Sequence, residues 1–169
     1  MTVTIPTGAA IDLSLRVAMG ESQLDFGGLT LSELGLDLSM GSHQVDFSTP
    51  LPQGLRRVSL NAGMGNVAVD NLGNARASII DTTGSMGNLT ADLGGAWQPG
   101  SSADLSFTHS MGQLTVRVPN NVRLETTASG ANGQPADRPD AAGEPAGPDA
   151  PALRLRMTTS MGEGNVVRY

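Results

Sequence analysis

Apolar side chains recur at every second position in short runs along this chain. Leu13, Leu15 and Val17 form one run, Leu34, Leu36 and Leu38 the next, then Val58, Leu60 and Ala62. Leu105 and Phe107, and near the C-terminus Leu153, Leu155 and Met157, keep the same spacing. Strict alternation of this kind predicts strands with one buried face. Most runs lead into a Met-Gly pair, and a second alternating run then follows in the opposite phase: Leu24 and Phe26, Val45 and Phe47, Val67 and Val69, Leu89, Ala91 and Leu93, then Leu114, Val116 and Val118. Side chains on a regular strand take opposite faces in turn, so a change of phase requires one residue to be absorbed. The Met-Gly pair is the expected place, with Gly supplying a bulge or bend. Methionine keeps the phase of the upstream run, so it is expected to point into the core.

The pair occurs at Met19, Met40, Met64, Met86, Met111 and Met161, using six of the 8 methionines. The first five lie 21, 24, 22 and 25 residues apart, and the last follows after 50. A near-constant interval of this size means one supersecondary unit stacked repeatedly. Turn-forming residues separate the units, among them Gly27-Gly28, Pro50 to Gly54, Asn71 to Asn74, Gly94-Gly95 and Pro119 to Asn121. The expected fold is all-β, with stacked short-strand repeats forming a β-solenoid or β-roll and essentially no helix. An antiparallel β-sandwich is the alternative. The 169 residues are expected to make a single domain, with repeats over about 10–127 and 152–169. The long last interval contains 128–151, which holds five of the 10 prolines and no alternation, and is expected to be a disordered insert. The unit around Met86 is irregular, because Thr82 and Gly84 stand where apolar residues are expected.

Composition narrows the chemistry. Cysteine is absent, which excludes disulfides, thiolate catalysis and Cys-based metal sites. A net charge of −6 disfavours a general nucleic-acid binder. No apolar run approaches the roughly 18 residues that span a bilayer, and no signal peptide is evident, so the expectation is a cytoplasmic protein without direct membrane insertion.

Candidate chemistry is sparse. Six residues after successive methionines stand Asp25, Asp46, Asp70 and Asp92, then Arg117. Stacked coils bring these carboxylates together as an outward stripe, where like charges repel unless cations or arginines neutralise them. Arg16, Arg56, Arg57 and Arg76 are the candidates for that task. The four aspartates are the weak candidates for a metal, calcium above all, although the calcium nonapeptide and the EF-hand loop are both missing. A row of thioethers would suit Cu(I), but inward-facing methionines read as core packing. His43 and His109 lack a third ligand for zinc and are expected at the strand surface or core edge. Ser39, Ser85, Ser110 and Ser160 each precede a Met-Gly pair, a repetition that suits a bend better than a nucleophile. Trp97, Tyr169 and three Phe make a poor sugar platform. No catalytic residue and no cofactor is expected.

The segments VAMGESQLDF, LSMGSHQVDF, AGMGNVAVDN and GSMGNLTADL, closing with HSMGQLTVRVPNNVRLE, resemble the toastrack-type adhesin domains and the C-terminal domain of LiaF-type proteins of the cell-wall-active antibiotic response family. The resemblance covers about residues 3–126. It implies an all-β stacked domain that acts by protein contact, often attached to membrane helices, in bacterial envelope-stress sensing; a membrane segment is lacking here, so the envelope association that the resemblance implies would run through a partner. The functional expectation is a non-catalytic β-repeat interaction or scaffold domain, with a protein partner or self-association through strand edges. A cation- or carbohydrate-binding solenoid using the aspartate stripe is the alternative.

Overall fold

The computed structural model describes residues 10–130 and 149–169. Most of the expected insert, 131–148, lies outside the described residues, whereas 128–130 continue a strand. The strands are β1 (Ile11–Asp25), β2 (Leu31–Asp46), β3 (Arg57–Asp70), β4 (Ile79–Asp92), β5 (Ser102–Val118), β6 (Arg123–Gly130) and β7 (Ala152–Arg168). One helical turn, α1 (Leu72–Ala75), lies between β3 and β4. All described pairings are parallel, in the order β1-β2-β3-β4-β5-β7-β6. The chain is a β-solenoid, and the sandwich alternative is excluded by the parallel pairing.

Parallel neighbours ordinarily need a crossover of a dozen or more residues. Here β1 is joined to β2 by Phe26–Thr30 alone. Such a short return is possible because each long strand bends at its Met-Gly pair and brings its own end back towards its start. Both arms bury their alternate residues against one core: Leu34, Leu36 and Leu38 before the corner of β2, Val45 and Phe47 after it. The connecting loops close the third side with Leu51, Leu55, Leu72, Ala75, Leu93 and Trp97. Buried Asn74 ties adjacent loops together, donating from Nδ2 to the Phe47 carbonyl (2.7 Å) and accepting the Ala96 N–H at Oδ1 (2.8 Å).

The corners stack in register. Met19, Met40, Met64, Met86, Met111 and Met161 are successive partners, and so are the glycines that follow them. The expectation of inward methionines is wrong. They are 39–73% exposed and form a column on the outside of the corner. The reason lies one residue earlier than the Met-Gly pair. Ala18, Ser39, Gly63, Ser85, Ser110 and Ser160 are left out of every pairing register, so the pleat is interrupted there. Methionine therefore already belongs to the downstream phase, in which even offsets face solvent and odd offsets face the core.

Glycine performs the role expected of it. Gly41, Gly65, Gly87 and Gly112 have φ between 114° and 134°, where an L side chain is strained. A Cβ on any of them would overlap the carbonyl oxygen of the corner glycine in the preceding coil. The irregular unit around Met86 is also explained. In the layer two residues before the corner, Gly84 pairs with His109, and the imidazole occupies the space that a Cβ at Gly84 would fill. His109 is 2% exposed and reaches the Gly87 carbonyl with Nε2 at 3.0 Å. Thr82, also buried, faces Phe107 in the next layer, so small residues on β4 compensate large ones on β5.

The glycine column yields an internally controlled prediction. Gly20 has φ 113° but nothing within contact of a Cβ, so Gly20→Ala carries backbone strain alone, roughly 1–3 kcal/mol. Gly65→Ala adds the overlap with Gly41 and is expected to cost at least about 1 kcal/mol more. Urea unfolding of the two variants compares them directly; equal losses would mean that close coil-to-coil approach is unimportant.

Candidate functional site

The aspartate stripe forms as a row but is occupied by the protein itself. Asp25, Asp46 and Asp70 are register partners, and Asp92 pairs with Arg117. Each stands at the end of a strand, where the chain turns, and each accepts hydrogen bonds. Asp25 accepts from the Gly27 N–H (2.9 Å), the Ser48 N–H (3.2 Å) and the Ser48 hydroxyl (2.7 Å). Asp46 accepts from Asn71 Nδ2 (2.8 Å) and Asp70 from Gln44 Nε2 (3.1 Å). Asp92 accepts from the Gly94 N–H (2.7 Å) and the Tyr169 hydroxyl (2.6 Å), with Arg117 at 3.6 Å. The Gly27 and Gly94 contacts cap their own turns, those from Ser48, Asn71 and Gln44 staple adjacent coils, and the Tyr169 contact ties the C-terminus to the end of β4.

The arginines expected to neutralise the row are engaged elsewhere. Arg16 pairs with Asp37 (3.2 Å), Arg56 with Glu33 (3.2 Å) and Arg57 with Asp81 (3.4 Å). The Arg76 guanidinium donates to the Ala96 and Leu51 carbonyls. Among the described residues no group of three or more His, Asp or Glu side chains is arranged to hold a metal ion. Both histidines are buried, deeper than their expected place at the surface or core edge. His43 is 3% exposed and its Nδ1 meets the Ser22 hydroxyl at 2.8 Å.

Local hydrogen bonds lower one carboxyl of the row, Asp25, and one outside it, Asp37. The Gly27 N–H and the Ser48 hydroxyl hold the Asp25 carboxyl below its ordinary range, and Asn61 and Arg16 do the same for Asp37. Tyr169 is shifted the other way. Burial and the neighbouring Asp92 carboxylate push its hydroxyl up to about 12, so it stays a donor, while the Arg117 guanidinium lies 5.1 Å from the ring centroid.

Two further outer surfaces stand out among the described residues. Beside the methionine column runs a shallow groove of about 760 Å³, with Gln23, Gln44, Asn66, Asn88 and Thr90 in its lining. Asn88 donates to Asn66 at 3.0 Å, so adjacent coils share an amide pair there. The other surface is the first edge of the solenoid. On β1 the core-facing residues Ile11, Leu13, Leu15, Val17 and Leu24 are only partly buried, while their β2 partners Leu31, Leu34, Leu36, Leu38 and Val45 are at most 1% exposed. No described strand pairs with the outer edge of β1. Sequence reading missed this surface because the alternation of β1 is identical to that of the buried strands; position at the end of the stack makes the difference.

No helix among the described residues is long and apolar enough to cross a membrane. Compared with family models, with curated proteins and with solved structures, the chain finds no match.

The lowered Asp25 and Asp37 carboxyls determine a pH dependence. A carboxyl whose pKa is lower folded than unfolded contributes stability above its unfolded value, about 3.9, and loses it as pH falls through the folded value. Urea midpoints are therefore expected to fall as pH drops below about 4. The Asp25→Asn/Asp37→Asn variant should lose less between pH 5 and pH 2 than the parent chain. Superimposable acid profiles would remove these two carboxylates from the explanation.

Proposed function

We propose that this chain is a non-catalytic β-repeat scaffold that self-associates by pairing its β1 edge with β1 of a second copy. The observation that carries the reading is the partly exposed aliphatic row on β1, set against the fully buried rows on the next strand. A solenoid end that leaves both a strand edge and an open core invites strand addition.

The residues of β1 favour its own copy as the occupant. Antiparallel pairing about a two-fold axis at Ser14 sets Ile11 opposite Val17 and Leu13 opposite Leu15, all on the core face, so the two cores become continuous. On the outer face it sets Asp12 opposite Arg16 in both halves of the junction. Apolar and opposite-charge cross-strand pairs of this kind each contribute roughly 0.2–1 kcal/mol. An isologous contact of this type closes as a dimer.

A role in the bacterial cell-envelope stress response, in the manner of toastrack and LiaF-type domains, is part of the same proposal and is supported by the sequence resemblance. Self-association is the part that a purified chain tests. Sedimentation of the full chain is expected to show a concentration-dependent dimer that Leu15→Arg abolishes. Asp12→Arg and Arg16→Asp should each weaken it, and the two together should restore it. A parent chain that stays monomeric, or a dimer indifferent to all of these changes, overturns the reading.

A further inference from the structure

The methionine column has properties that core packing does not require. Six thioethers stand in register on the outside of the corner. Exposure falls from 73% and 68% at the terminal Met19 and Met161 to 39–46% at Met40, Met64, Met86 and Met111. Residues with a methionine on either side are thus the more covered, as expected if the side chains lie along one another. The residue before each is Ala, Ser or Gly and the residue after is Gly, so no bulky neighbour screens the sulfur atoms. Two residues on, the four central strands carry Ser42, Asn66, Asn88 and Gln113, none charged; Glu21 and Glu163 flank only the ends.

We propose that this column binds soft monovalent cations, Cu(I) and Ag(I), through its thioethers. Neighbouring strands in a sheet lie about 4.8 Å apart. Each methionine has three rotatable side-chain bonds, so sulfurs on adjacent coils can converge on one ion. Thioether sulfur is a soft ligand that selects Cu(I) over hard cations such as Mg²⁺ and Ca²⁺. The overall charge of −6 favours cations at the surface without supplying a hard ligand at the column centre. Three neighbouring thioethers suffice for one ion, so the column accommodates about two ions per chain. Only Met19 belongs to β1; the central members Met40, Met64, Met86 and Met111 lie on β2 to β5, away from the edge proposed to self-associate.

Ag(I), which needs no reductant, is the probe. Titration of the full chain with silver nitrate in chloride-free buffer is expected to show saturable binding. The methyl resonances of Met40, Met64, Met86 and Met111 should shift, while that of buried Met157 stays in place. Met64→Leu/Met86→Leu, which keeps the volume and both histidines, should bind Ag(I) at least tenfold more weakly. Because both positions are exposed, its metal-free urea midpoint should match that of the parent chain, which separates lost ligation from lost folding. Zn²⁺ and Ca²⁺ should leave the methionine methyl resonances unmoved. Equal Ag(I) affinity in the parent and the double variant, or silver binding that leaves the methyl resonances unshifted, overturns the proposal.

Discussion

Backbone approaching backbone at the corner is the constraint on which the rest of the solenoid depends. At each corner glycine from Gly41 onward, the carbonyl oxygen of the previous coil stands where a Cβ would be. Any other residue there would push coils apart along the line where both arms of the strand meet. Without the corner the arms could not fold onto a shared core, and the short connections between parallel strands could not reach. The buried layers, the capped turns and the outer methionine column all inherit their register from this contact.

Much of that architecture is legible in the sequence because two periods coincide. Alternation of period two marks strands, and the recurrence of Met-Gly every 21–25 residues marks coils. The orientation of methionine was not legible. Counting phases shows that one residue is absorbed between the upstream and downstream runs, but an apolar Met fits either phase. Pairing resolves it, since the small residue before each Met is the one left out. His109 is a similar case. Its burial follows from Gly84 on the neighbouring strand, so neither residue explains itself without the register.

The aspartate stripe illustrates a different limit. Its register was readable from equal offsets after methionine, but its partners were not. Ser48, Asn71 and Tyr169 sit in connections or at the far end of the chain, where nothing repeats, and Gln44 on β2 is the exception. A row of like charges in the sequence became a set of carboxylates each held by its own donors. Repetition therefore predicts which residues stand together better than it predicts what they do there. Surfaces at the ends of the stack escape it altogether, since β1 has the pattern of an interior strand and the environment of an edge.

The order β5-β7-β6 has a kinetic meaning. Coils β1 to β5 can be added one after another as the chain emerges, each pairing with the coil just made. β6 cannot follow that rule, because its partner is β7, which comes later in the chain and lies between β5 and β6. The backbone groups that β6 offers to β7 have no ladder until Ala152–Thr159 arrives, and β5 keeps an open edge for as long. Completion thus waits on the C-terminal strand entering a slot bounded on both sides, a non-local step of the kind that slows folding. A fold that is sequential for five strands ends with an insertion.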